Sequence, residues 1–157
     1  MNPRDQGMRA ADDDEVTVRL AIYRHFARTG GAPTTADLAD QTGLASGAVT
    51  AALEQLDAQR AIVLTPGTRY LWMAMPFSAV PTAFRVSWAG ASAFANCAWD
   101  ALGIPAMLGT DAEIATTCPV TGLPLSLSVA GGAVHPADAV VHFAVPAAEW
   151  WNDIGFT

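Results

Sequence analysis

Cys97 and Asp100 are the residues of this chain best suited to chemistry. They place a thiol three positions before a carboxylate in Ala95-Asn96-Cys97-Ala98-Trp99-Asp100-Ala101-Leu102-Gly103-Ile104-Pro105. The flanking residues read as a short apolar helix, Ala91 to Leu102, that Gly103 and Pro105 end. Residues i and i+3 of a helix share a face, so both side chains could address one small object, a soft nucleophile beside a proton donor. With Asn96 as the cap, Cys97 falls in the first turn, where the dipole and free N–H groups favour a thiolate. With Ser92 as the cap, it lies a turn further in. Plainer readings stand beside these. Free cysteine is among the most buried residue types, and an acid at a helix start complements the dipole.

The other candidates are weaker. Cys118 is the second of two cysteines. The N-terminus shows no charged-then-apolar leader, so a cytoplasmic location and two free thiols are expected rather than a disulfide. His25, His135 and His142 have no zinc-site spacing with the cysteines, and no structural metal is expected. Ser126 and Ser128 alternate on one strand without a partnered His-Asp pair, which gives no support to a serine hydrolase. Trp150-Trp151 suit either the wall of an apolar pocket or a core or interface position.

These residues need a scaffold, and the composition supplies one. The 157 residues are 52% hydrophobic and 15% charged, a globular balance sufficient for one ordinary domain or two small ones sharing a core. No apolar run approaches the roughly 20 residues that span a bilayer. The net charge of −7, with only eight Lys and Arg, disfavours polyanionic partners.

Residues 1–11 read as a flexible tail. Asp12-Asp13-Asp14-Glu15 opens a helix with the stripe Val16, Leu20, Tyr23, Phe26-Ala27, which ends at Thr29-Gly30-Gly31. Thr34-Thr35 caps a second helix to Thr42. A third runs from about Gly47 to Gln59 on Val49, Leu53 and Leu56. Ile62-Val63-Leu64 and Tyr70-Leu71-Trp72-Met73 form a hairpin about Pro66-Gly67. Three helices and a hairpin, residues 12–75, make a winged-helix-like pattern. Its third helix exposes Thr50, Glu54, Gln55, Asp57 and Gln59 where a groove reader needs bases, so a structural role is expected rather than DNA binding.

Residues 76–157 form the second segment. A proline-punctuated linker, Met75 to Thr82, leads to a strand at Phe84–Trp88 and then to the cysteine-bearing helix. Further strands are expected at Ala112–Cys118, Leu123–Val129 and Ala139–Val145, and a last helical piece at Ala147–Asn152.

Pro76-Phe77-Ser78, Val80-Pro81-Thr82, Asn96-Cys97-Ala98-Trp99-Asp100-Ala101-Leu102, Ile104-Pro105-Ala106 and Cys118-Pro119-x-Thr121-Gly122-x-Pro124 together resemble the organomercurial (alkylmercury) lyase family. The resemblance covers nearly the whole chain. It implies an α+β fold, a winged-helix-like segment followed by a mixed α/β core. It also implies protonolysis of carbon–mercury bonds to a hydrocarbon and Hg(II), without an organic cofactor and with external thiols. It places the first catalytic, mercury-binding cysteine on Cys97 and the proton-donating aspartate on Asp100, and makes Cys118 a supporting thiol. Organomercurial small molecules are the implied partners, with a mercuric reductase receiving Hg(II). The family's second catalytic cysteine is expected at or just after Thr157, where this sequence has none, so the core is expected to be partial and short at its C-terminus.

Two other classes remain open on the sequence. One is a non-catalytic or truncated homologue that binds soft metals or electrophiles through thiols. The other is a winged-helix transcriptional regulator.

Overall fold

The structure is a computed structural model that describes residues 3–156, with side chains described for 12–156. It is an α+β fold. Three helices, α1 (Pro3–Thr29), α2 (Thr35–Thr42) and α3 (Ser46–Ala58), precede β1 (Val63–Leu64), β2 (Leu71–Ala74), β3 (Phe77–Ser78), β4 (Phe84–Trp88) and β5 (Ala91–Ala95). Helix α4 (Ala98–Leu108), β6 (Ala112–Thr117), β7 (Pro124–Ala130), β8 (Ala133–His135) and a 3-10 turn, Ala147–Asn152, complete the order. One antiparallel sheet joins all eight strands in the order β1-β2-β3-β5-β4-β6-β7-β8. The β1–β2 hairpin is therefore continuous, through β3, with the strands that carry the cysteine segment.

Helix α1 starts at Pro3, inside the segment expected to be a flexible tail. Proline suits a first helical position, and Gly7 is the one poor helix former between it and the Asp12–Glu15 run. Residues 1 and 2 lie outside the described residues. The buried stripe of α1 is Val18, Ala21, Ile22 and Phe26, whereas Val16 and Leu20 are exposed. Two i, i+4 series compete here. The one containing Phe26 wins because its ring stacks on Phe77 of β3 at 4.9 Å.

The expected cap of α2 forms as a capping box. Asp37 N–H donates to Thr34 Oγ1 at 3.1 Å, and Thr34 N–H donates to the Asp37 carboxylate at 2.8 Å. Helix α3 buries Val49, Ala52, Leu53 and Leu56.

Three expectations for the second segment are corrected. Ala91–Ala95 is strand β5, not the start of the cysteine helix. Ala89 and Gly90 both have positive φ, as two-residue primed turns require, and the hairpin they make pairs Trp88 with Ala91. Cross-strand pairing thus overrides the helix propensity of an alanine-rich run. Second, α4 passes through Gly103 and Pro105 and ends only at Gly109, φ +63. Pro105 forgoes one backbone bond but is buried with Ala101 and Ile104, and Gly103 lets Pro76 approach to contact distance. Third, residues 139–145 are not a strand. The last partner of β7 is instead β8, formed through a two-residue Gly131-Gly132 turn, and Pro136 stops it.

Candidate active site

Strand β5 runs into α4 through Asn96 and Cys97. Cys97 is itself the N-cap of α4, in extended conformation (φ −144°, ψ −176°), and its carbonyl accepts from Ala101 N–H at 3.0 Å. The expectation of Asn96 or Ser92 as cap is therefore corrected. Ser92 lies within β5, and Asn96 turns away, its Nδ2 donating to Phe77 O at 3.2 Å. Asp100 occupies the third helical position of α4. N-cap and N3 side chains face one another, the relation a capping box exploits, so Cys97 and Asp100 meet even though the helix starts later than expected.

The electrostatics follow from this placement. Burial pushes the Asp100 carboxyl above the usual carboxylate range, partly opposed by the Asn96 side chain, the Cys97 thiol and the Cys97 backbone. Burial also pushes the Cys97 thiol up, and the Asp100 charge adds to it. The N–H groups of Asp100 and Trp99 pull the other way without closing a side-chain capping bond. The expectation of a dipole-activated thiolate is thus reversed, because desolvation outweighs the helix terminus. What stands at the head of α4 is a thiol and a carboxyl competing for protons.

Both groups line one cavity of about 220 Å³ with Met73, Met75, Asn96, Trp99, Trp150 and Ile154. Apart from Asn96 the other walls are apolar side chains. A second recess, about 180 Å³, also touches Cys97, Trp99 and Trp150 and is lined besides by Phe84, Phe156 and residues 141–145. Trp99, Phe143 and Trp150 form a ring cluster with centroids 6.2 and 5.4 Å apart. Trp150 anchors it through Nε1–H donating to Val145 O at 3.1 Å. The tryptophan pair divides: Trp150 lines both recesses, whereas Trp151 sits under the Arg60 guanidinium at 5.0 Å.

Cys118 follows the last residue of β6 in a tight turn, with Gly122 N–H donating to Cys118 O at 2.9 Å. The Thr121 hydroxyl, then the N–H groups of Thr121 and Val120, hold its thiol below the ordinary range. Both cysteines are free. Strands β5 and β6 flank β4 and both run antiparallel to it, so Cys97 and Cys118 follow strands that end at the same end of the sheet, but Cys118 lines neither recess.

His142 contributes to the second recess and His135 lies in β8. Among the described residues no group of three or more His, Cys, Asp or Glu could hold a metal ion. No helix among them is long and apolar enough to cross a membrane. Met73, Met75, Asn96 as a wall residue, Phe143 and Ile154 were not anticipated. Met73, Met75 and Ile154 reach the cavity, and Phe143 the second recess, from segments distant in sequence that no local periodicity marks, whereas Asn96 directly precedes Cys97.

The comparisons with known proteins converge. An alkylmercury lyase from Pseudomonas putida is 33% identical over 90 residues, which cover 52% of this chain and 42% of the relative. The crystal structure of the mercury-bound form of MerB2 superposes with a TM-score of 0.60 at 27% identity, covering 78% of this chain and 58% of that one. The chain thus spans less than two thirds of the length of either. A family profile described as alkylmercury lyase, MerB, matches residues 77–157, the segment that contains β3 through the 3-10 turn and with it Cys97, Asp100 and Cys118, and on that match the chain belongs to the alkylmercury lyase family.

Proposed function

We propose that this chain captures organomercurials on Cys97 and cleaves their carbon–mercury bond with a proton from Asp100. The observation that carries the reading is the pairing of these two groups on one mainly apolar cavity, each pushed by burial toward its protonated form. Thiolate is the preferred ligand class for a soft ion such as mercury, and met at Cys97 it forms a sulfur–mercury bond. As R–Hg⁺ binds, the thiol proton passes to the Asp100 carboxylate beside it. The acid so formed delivers that proton to the carbon. The carbon–mercury bonding pair becomes the new C–H bond, the hydrocarbon leaves, Hg(II) stays on sulfur and Asp100 returns to carboxylate. A carboxyl with a raised pKa is the better donor for this step. A second thiolate, from a small external thiol or from Cys118, activates the carbon by donating to mercury. No organic cofactor enters, and a mercuric reductase is the recipient proposed for Hg(II).

A second reading, mercurial binding without turnover, is favoured by one specific observation. Cys97 is the one thiol lining the cavity among the described residues.

Incubation with phenylmercury and excess small thiol, with benzene measured in the headspace, tests both. Cys97→Ser and Asp100→Asn should each lower benzene release by about 100-fold or more, the scale of a lost nucleophile or general acid. Tight binding through Cys97 without benzene would establish the binding-only reading. Benzene release indifferent to both substitutions would overturn the assignment.

A further inference from the structure

We propose that Met73 and Met75 are mercury ligands of this site, a methionine thioether supplying the second sulfur donor once Cys97 has captured R–Hg⁺. The proposal rests on the Cys97–Asp100 reading above and deepens it, placing within the cavity a donor that the reading otherwise draws from an external thiol or from Cys118.

Protonolysis calls for a second donor, because electron density pushed through mercury onto carbon readies that carbon for a proton. Cys118 lines neither recess, and Cys97 is the one thiol of the Asp100 cavity among the described residues. Two further sulfur-bearing side chains do belong to its walls. Met73, the third residue of β2, and Met75, in the turn that follows, line that cavity together with Cys97 and Asp100. Both are held at the backbone. Met73 is buried and paired on each side, with Val63 of β1 and Ser78 of β3. Met75 O accepts from Tyr23 Oη at 3.0 Å, which ties the turn to α1. The thioether arms remain free to adapt on fixed bases.

Methionine is also the ordinary filler of irregular apolar gaps. Position and chemistry distinguish the two roles. Of the three methionines whose side chains are described, Met107 is exposed on α4 and lies outside this cavity, whereas the other two line the one recess that holds both the thiol and the acid. A thioether is a soft donor, of the class that suits mercury. It has no proton to lose, so it does not compete with Cys97 and Asp100 for one. Trp99, Trp150 and Ile154 offer mercury no donor atom of their own class, and Asn96 offers a hard amide oxygen. In the step proposed, a methionine sulfur lone pair joins the mercury of Cys97–S–Hg–R, and no bond breaks. Asp100 then gives its proton to carbon, the carbon–mercury pair becomes the C–H bond and the hydrocarbon leaves. Hg(II) stays on one thiolate and one thioether, its remaining positive charge balanced by the Asp100 carboxylate. An external thiol is then needed to remove Hg(II), not to break the bond.

The test is a single turnover of phenylmercury by the full chain with no thiol added, read as benzene in the headspace. The parent should release benzene. The double variant Met73→Leu with Met75→Leu, a swap that nearly conserves volume, should do so more slowly by about tenfold or more, and should recover when excess small thiol is supplied. Met107→Leu should match the parent. In parallel, Hg(II) added to the methionine-methyl ¹³C-labelled chain should move the signals of Met73 and Met75, each assigned by its loss in the single Leu variant, and leave that of Met107 in place. Norleucine in place of methionine, which exchanges each sulfur for a methylene, carries both arms if the double variant does not fold by circular dichroism. Benzene released without thiol at one rate in parent and double variant overturns the proposal. Benzene that appears only with external thiol overturns it as well, and leaves the Cys97–Asp100 reading standing. Met73 and Met75 signals moved by Hg(II) in a chain that releases no benzene under either condition support the thioether ligands and overturn the cleavage reading.

Discussion

Asp100 is held where its charge is disfavoured, and that has a consequence for stability as well as for proton transfer. Its folded pKa is raised above the ordinary 3.8, chiefly by burial. Between the unfolded and the folded pKa the native state therefore binds more protons than the unfolded one. Unfolding free energy consequently falls as pH rises through that window. Above its folded pKa the native chain bears the full penalty of the buried carboxylate, and below the unfolded pKa it bears none. Asp100→Asn should therefore raise the melting temperature at pH 7 and leave it nearly unchanged at pH 3, as thermal unfolding at the two pH values would read. A loss of stability at pH 7 would mean that the contacts with Asn96 and Cys97 outweigh burial. The same variant should lose benzene release, so activity and stability move in opposite directions at one residue. The Cys97–Asp100 pair was legible in the sequence because the i, i+3 relation brings the two side chains together whether Cys97 lies inside the helix, as expected, or caps it, as found. The depressed thiol expected there was not, since the sequence shows a helix terminus but not the side chains that exclude water from it.

Among the elements, two helix ends look alike in sequence and differ in what surrounds them. Gly30 closes α1 and Gly109 closes α4, both with positive φ, +73 and +63. A Cβ on Gly109 meets nothing within 4 Å, whereas on Gly30 it would overlap the carbonyl oxygen of Ser92 in β5. Gly109→Ala should cost about 1–2 kcal/mol, the left-handed penalty alone. Gly30→Ala must in addition push α1 off the strand that leads to Cys97, and should cost several times as much, or fail to fold. Urea unfolding of the two variants gives the comparison, and equal costs would contradict the close approach of α1 to β5. That approach also explains what could not be read locally. The residues 91–95 have helix-like composition and become a strand because Ala89-Gly90 turns the chain back onto β4. Pro105 looks like a stop and sits inside α4 because burial of the apolar helix face compensates one missing hydrogen bond. Residues 139–145 alternate like a strand, yet the Gly131-Gly132 turn gives the last ladder position to β8.

For the whole molecule, the sequence reads at residue 75 as three helices with a hairpin followed by a segment that carries Cys97 and Asp100, and the contacts tie the two together. Strand β2 pairs with β3 across that boundary, and Phe26 stacks on Phe77. The anchor of Asn96, Phe77 O, thus belongs to a strand whose other face is covered by α1. If these contacts dominate, the helical segment is part of the support of the site and the chain unfolds as one unit. The two halves differ in their natural reporters. Helices α1, α2 and α3 supply most of the helical signal, with 27, 8 and 13 residues against 11 in α4. Four of the five tryptophans lie beyond residue 75, and the fifth is Trp72 of β2. Urea curves followed by far-ultraviolet circular dichroism and by tryptophan fluorescence should therefore coincide in midpoint and slope. A helical signal lost at lower urea than the fluorescence would show two independent domains, and would remove α1 from the account of how Asn96 is held. Coincident curves that shift together in Phe26→Ala, by the roughly 3–5 kcal/mol expected for deleting a buried phenylalanine ring, would place the support of the Cys97–Asp100 pair in the stack between Phe26 and Phe77.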